Sequence, residues 1–235
     1  MTRREIFSGL ITGGLAAMTR GGPLEASQTA ATAGGWQIKP LPFDPAKLKG
    51  LSEKLLVSHH DNNYAGAARR IGQIQQMLKS LPSNAPGFQL KGLKMEELTA
   101  TNSAILHEEY FGNLGGDGKS SGSLTQALAR DFGGMATWEQ DFRATSSALG
   151  GGSGWAILNF NFRDGKLHNY IAFDHTDNVA MGRPILVNDM FEHAYHMDYG
   201  SAAGMYVDAF MQNINWQECN RRYEEAVKLF SALKG

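Results

Sequence analysis

The stretch NDMFEHAYHMDYG, residues 188 to 200, gathers Asp189, Glu192, His193 and His196 in a chain that has only seven histidines. Placed on a helix, Asp189 and His193 share a face, Glu192 stands beside it, and His196 follows one turn beyond His193. A carboxylate and an imidazole aimed the same way are half of a metal site. They are equally the pattern of a solvated polar face. The single cysteine, Cys219, excludes an internal disulfide framework and a thiolate zinc cluster. Any metal therefore needs nitrogen and oxygen ligands, and Cys219 reads as an unpaired core thiol.

The remaining histidines fall at 59, 60, 107, 168 and 175. His59 or His60, His107 and His193 each lie in a segment that reads as helix with apolar neighbours. One such histidine is ordinarily a hydrogen-bonded core residue. Three in separate segments, with an aspartate near one of them, point instead to a cage of three imidazoles and one carboxylate, which suits iron, manganese or zinc. Spacing alone does not choose among these metals.

Those side chains need elements to carry them. WQIKPLPFDPAKLKG reads as an extended leader, because Pro40, Pro42 and Pro45 each bias the preceding residue away from helix. From Leu51 to Leu81 the apolar spacing predicts one long helix, started by Ser52, stopped by Pro82 and open to a kink near Gly66. GLKMEELTATNSAILHEEYFGNLGG predicts a second helix ending at Gly115 and Gly116, and residues 122 to 150 predict two shorter ones broken at Gly133 and Gly134. Beyond GGGSG the period changes. WAILNFNFRDGKLHNYIAFDHT reads as a hairpin turning at Asp164 and Gly165, RPILVND as a third strand, and the chain from Met190 onward as helix again. The fold expected is α+β: an N-terminal helical-hairpin domain over 34–118, then a C-terminal domain over 119–235 with a three-stranded antiparallel sheet flanked by helices.

Bulk properties bound the partners. The chain has 235 residues, 42% hydrophobic content and 22 basic against 23 acidic residues, a formal charge of -1. That supports a real core and gives no electrostatic reason to expect nucleic acid or an anionic membrane as partner. Residues 1–33 do not read as fold. TRREIF, with Arg3 and Arg4, a short apolar stretch and Ala31-Thr32-Ala33, resembles a twin-arginine export signal cleaved after Ala33. The resemblance implies a periplasmic or otherwise exported protein with no stable membrane insertion once the signal is removed.

NDMFEHAYHMDYG followed by MYVDAFMQNINW resembles the C-terminal half of the iron/manganese superoxide dismutases. PLPFDPAKLKGLSEKLLVSHH is similar to their leader and first ligand helix, NSAILHEEYFGNL to their second, and FGGMATWEQDFRATSSALGGGSGWAIL to the approach to their sheet. The likeness covers about residues 36 to 225. It implies dismutation of superoxide to oxygen and hydrogen peroxide at one iron or manganese ion per subunit. The implied ligands are His59, His107, Asp189 and His193. His60 cannot join His59 on the metal, because adjacent helical residues diverge by about 100 degrees. The likeness also implies a homodimer, or a tetramer built from it, with Glu192 hydrogen-bonded to the partner's metal-binding histidine and His196 at the same interface. Trp155 and Phe111 are implied walls of the metal pocket.

Around that cage the chain departs from the family. His175 stands where a glutamine, or in one group a histidine, meets the metal-bound solvent. Asn63 and Ala67 stand where a histidine and a gateway tyrosine are usual, His196 replaces a second tyrosine, and Phe191 replaces a tryptophan. Tyr64 is out of register unless the helix bulges. Proton delivery is expected from His175, with His60, Tyr64 or water in place of the gateway tyrosine, and Tyr195 of the EHAY element is included in the catalytic group. Two other readings fit the same residues: a hydrolytic enzyme using the same cage, and a binding relative that has lost turnover.

Overall fold

The computed structural model describes residues 32–33, 36–177 and 179–234. The proposed export signal, apart from Thr32 and Ala33, lies outside the described residues. Thr32–Ala33 (β1) pairs antiparallel with Trp36–Gln37 (β2), and the proline leader follows. The first helical stretch starts where Ser52 predicts, with its hydroxyl accepting from the Leu55 amide.

That stretch is not one regular helix. Glu53–Ser58 (α1) and Ala65–Ser80 (α2) are joined by a π-helical segment, His59–Tyr64, in which the Ala65 amide bonds to the His60 carbonyl five residues back. The irregularity precedes Gly66, where a kink was expected. Gly87–Gly112 (α3) runs back along α2 and ends three residues before Gly115. Ser123–Phe132 (α4) and Met135–Ser147 (α5) are separated at Gly133 and Gly134, as the sequence predicts. Gly133 has φ +79°, a left-handed value that glycine adopts without a Cβ clash.

The sheet has the order β4-β3-β5, all antiparallel, with Trp155–Asn161 (β3) central between Lys166–Ala172 (β4) and Gly182–Asp189 (β5). Every residue of β3 from Trp155 to Phe160 is buried, because the strand is central and α3, α4, α5 and the C-terminal helix pack against the sheet. At the start of β3 Trp155 lies opposite Ala172 on one side and Asp189 on the other. Gly154, just before it, has φ +143° and faces the Ala172 carbonyl so closely that a Cβ would sit 2.5 Å from the oxygen.

After Asp189 the structure corrects the sequence. The segment is not a helix: Asp189 closes β5, Glu192–Ala194 forms a single 3-10 turn, and the α-helices resume at His196–Tyr199 (α6), Ala203–Gln212 (α7) and Trp216–Lys234 (α8). Asp189 and His193 still converge, through a strand end and a tight turn rather than a shared helical face. A single apolar core runs through helices and sheet, with Tyr110, Phe142, Trp155 and Phe210 among its fully enclosed side chains. Cys219 is a buried free thiol in that core. Among the described residues no helix is long and apolar enough to cross a membrane.

Candidate metal centre

Four segments meet at one point. His59 comes from the start of the π-helical segment, His107 from the last third of α3, Asp189 from the end of β5 and His193 from the 3-10 turn. One donor atom from each lies within 4.8 Å of all the others. Asp189 Oδ2 is ringed by the Nε2 atoms of His59 at 3.0 Å, His193 at 3.1 Å and His107 at 3.6 Å. The other carboxylate oxygen accepts the Phe191 amide at 2.9 Å, which fixes the carboxylate plane.

The buried polar atoms show what this cage fits. His107 Nδ1 donates to the Ser103 carbonyl at 2.7 Å, one helical turn back, so a neutral ring carries no proton on Nε2. That Nε2 is buried without a hydrogen-bond partner among the described residues, and it faces the Asp189 carboxylate. Two electron-rich atoms held together out of water repel each other unless a cation sits between them. Separations of 3.0 to 3.6 Å also match atoms that share one ion at roughly 2.0–2.2 Å each. Three imidazoles and one carboxylate, with no thiolate, form a donor set for a first-row transition ion.

The electrostatics agree. Burial pushes the His107 pKa down to about 3, with His59 adding to the shift, so the ring is neutral at pH 7. Burial also lowers His59, against the opposing hydrogen bond from Asp189. For Asp189 burial acts to raise the pKa, but the charge and hydrogen bond of His193 and those of His59 outweigh it, and the group stays ionised well below the usual carboxylate range. His59 and His107 are thus held neutral beside an ionised carboxylate, whereas burial acts to lower the His193 pKa but the charge and hydrogen bond of Asp189 raise it, so His193 is the imidazole that gives up a proton when a metal binds.

The expected walls are in place: the Trp155 ring is 5.1 Å from His107, and Phe111 is 5.0 Å from His59. Sequence reading missed that Trp155 is also a donor. Its indole N–H donates to His175 Nδ1 at 3.0 Å, which leaves the proton of a neutral His175 on Nε2. His175 sits on the turn after β4, tied to α3 by Asn102 Nδ2 donating to its carbonyl at 2.7 Å, and stacks on Phe191 with centroids 4.8 Å apart. Its ring lies 6.3 Å from that of His107, and burial lowers its pKa.

A cavity of about 250 Å³ lies beside His175, with Asn63, Ala67 and Ser103 also in its wall. The positions where the family places a histidine and a gateway tyrosine therefore do open beside His175, and here they hold smaller side chains. The helix does bulge, but the bulge carries Tyr64 elsewhere. Tyr64 is buried, its hydroxyl accepts the Lys39 amide and donates to Glu108 Oε1, both at 2.9 Å, and it lines a separate cavity of about 340 Å³ with His60.

Two residues expected in the catalytic group lie away from the cavity beside His175. His60 lies on the leader side, with Nε2 2.8 Å from the Lys39 carbonyl and Nδ1 2.8 Å from Asp61 Oδ1, and it is absent from the wall beside His175. Tyr195 is a core residue, 1% exposed and stacked on Tyr206 at 5.4 Å. Tyr206 itself was not anticipated. Its hydroxyl is 2.7 Å from the Asp189 carbonyl, 3.0 Å from Asn188 Oδ1 and 3.2 Å from the Tyr110 hydroxyl, which braces the strand end that supplies the carboxylate. Glu192 and His196 are exposed on the face where His193 retains 27% side-chain exposure. His168 is on β4, bonded to Asp164 at 2.8 Å, remote from the cage.

This fold and this cage place the chain in the iron/manganese superoxide dismutase family, to which it belongs. The profile described as iron/manganese superoxide dismutases, C-terminal domain, matches residues 120–222. A superoxide dismutase [Fe] of Cupriavidus metallidurans is 53% identical over 82% of this chain and 98% of its own length. A superoxide dismutase [Fe] of Aquifex pyrophilus is 33% identical over 81% of this chain and 92% of its own. A superoxide dismutase [Mn] of Haloferax volcanii is likewise 33% identical, over 83% of this chain and 98% of its own.

Proposed function

We infer that the cage holds one iron or manganese ion per chain and that the protein is a superoxide dismutase, converting superoxide to oxygen and hydrogen peroxide. The carrying observation is the Asp189 carboxylate ringed by three imidazole nitrogens, one of them buried with no other partner. Both iron and manganese enzymes are among the relatives, and the 53% identical one is named for iron, which makes iron the first expectation.

When bound, the ion supplies alternate one-electron oxidation and reduction of superoxide. The protein's own residues do the rest. His59, His107, His193 and Asp189 fix the geometry, and the charge of Asp189 offsets one positive charge of the ion. Trp155, Phe111 and Phe191 keep bulk water from the cage. His175, held by Trp155 as the Nε2–H tautomer, would donate a proton towards the reacting anion, and the cavity beside it would admit both anion and water. Ala67 leaves no hydroxyl at the usual gateway, so water in that cavity carries protons to His175.

The same reading includes export and dimerisation. TRREIF and Ala31-Thr32-Ala33 support passage through the twin-arginine route to the periplasm. Replacing Arg3 and Arg4 with lysine should trap precursor inside the cell, and undiminished delivery of mature protein would overturn that route. The exposed Glu192 and His196 beside a partly exposed cage ligand support a homodimer closed over His193. Glu192→Ala should then loosen dimer and metal together, as sedimentation and metal analysis would report.

The decisive experiment loads the purified protein with iron or with manganese, counts ions per chain and follows superoxide decay by pulse radiolysis. One ion per chain and rapid decay are expected. Metal-replete protein that leaves superoxide decaying at its spontaneous rate would overturn the assignment.

A further inference from the structure

The cavity beside His175 has an uneven charge. Its described wall includes Arg70 and no carboxylate, the other lining side chains being His175 and small or neutral groups such as Asn63, Ala67 and Ser103. Arg70 follows Ala67 by three residues on α2, so both project from one face of the helix. Its guanidinium is loosely held: the side chain is 61% exposed, and its ion pair with Glu96 of α3 spans 3.4 Å. Arg130, Arg143, Arg183, Arg221 and Arg222 each close on a carboxylate at 2.5 to 2.8 Å. Arg69, next in sequence, bonds instead to the Asp61 carbonyl at 3.1 Å.

A chain with net charge -1 offers a small anion no overall attraction, so capture depends on local charge. We propose that Arg70 is the anion-steering residue of this cavity, drawing small monovalent anions, superoxide among them, from the mouth towards His175, with Glu96 restraining it. The proposal rests on the superoxide reading. An exposed charge is screened over about 8–10 Å in ordinary salt, so steering must fade as ionic strength rises. A cation at the mouth accelerates arrival of the anion without altering the reacting atoms. Arg70 is therefore a positioning residue that acts on kcat/KM and leaves kcat alone.

The test compares wild type with Arg70→Gln, Arg70→Lys, Glu96→Gln and, as control, Arg69→Gln, all iron-loaded and matched for metal content and melting temperature. Two measurements are made across ionic strengths: kcat/KM for superoxide, and the dissociation constant of azide by optical titration. At low salt Arg70→Gln should lower kcat/KM by about three- to tenfold, weaken azide by a similar factor and flatten the salt dependence of both. Arg70→Lys should restore most of each loss. Glu96→Gln should change both in the opposite direction, and Arg69→Gln should track the wild type. Equal salt slopes in wild type and Arg70→Gln would overturn the proposal, as would a loss confined to kcat. A wild type without dismutase activity would overturn the superoxide reading, and the azide titration would still decide the role of Arg70.

Discussion

Tyr206→Phe removes one oxygen from the brace behind the metal cage, and its cost can be worked from the structure. Tyr206 and Tyr110 are both 0% exposed. A hydroxyl has one proton. The Tyr206 hydroxyl lies 2.7 Å from the Asp189 carbonyl, 3.0 Å from Asn188 Oδ1 and 3.2 Å from the Tyr110 hydroxyl, three acceptors within reach of its proton. Deleting the Tyr206 oxygen takes a bond from the Asp189 carbonyl and leaves the buried Tyr110 hydroxyl without this partner. Each buried group left unsatisfied costs about 1–3 kcal/mol, so a loss of about 2–6 kcal/mol is expected for the two groups. At about 2–4 °C per kcal/mol for a chain of this size, the metal-loaded protein should melt about 4–24 °C lower. The loss should be larger with metal than without, because the freed strand end carries the one anionic ligand and metal binding stabilises the fold by mass action. Calorimetry of loaded and metal-free protein, with ion counting, reads both parts. A variant that melts within a degree of the wild type and keeps its metal through dialysis would refute the bracing role.

His107→Ala and Asp189→Ala should each abolish tight metal binding by elemental analysis, whereas His60→Ala and His168→Ala, on residues outside the cage, should leave one ion per chain. His175→Ala should keep its metal yet shift the metal potential and strongly lower turnover in pulse radiolysis, the protonation half-reaction most of all; wild-type rates would remove His175 from the mechanism. Ala67→Tyr, which restores a phenol to the cavity wall, should speed proton-coupled reduction of superoxide, and an unchanged rate would show that water already delivers protons fast enough.

Much of this architecture was legible in the residues. Ser52 as a cap, glycines at 133 and 134 as a break and Asp164-Gly165 as a hairpin turn are local signals, and each acts within four residues of where it stands. The ligand types were legible too, since a single cysteine forces nitrogen and oxygen donors and the histidines and Asp189 recur in the pattern of one family. Even the tie from His107 to the Ser103 carbonyl follows from helical spacing of four.

What the local signals could not determine was which way side chains point once distant segments meet. Periodicity assumes a uniform helix, and the π-helical turn at His59–Tyr64 breaks that assumption: Asn63 and Ala67 stay on the cavity while Tyr64 turns to Glu108, 44 residues away. A helical face predicted the convergence of Asp189 and His193 for the wrong reason, because pairing of β5 with β3 keeps Asp189 in a strand opposite Trp155. The tautomer of His175 is set by that same Trp155, 20 residues earlier in the chain, and the carbonyl of Asp189 is braced by Tyr206, 17 residues later. Each of these hydrogen bonds joins separate elements, is buried or partly buried, and is invisible in sequence because only the packed core brings its partners together.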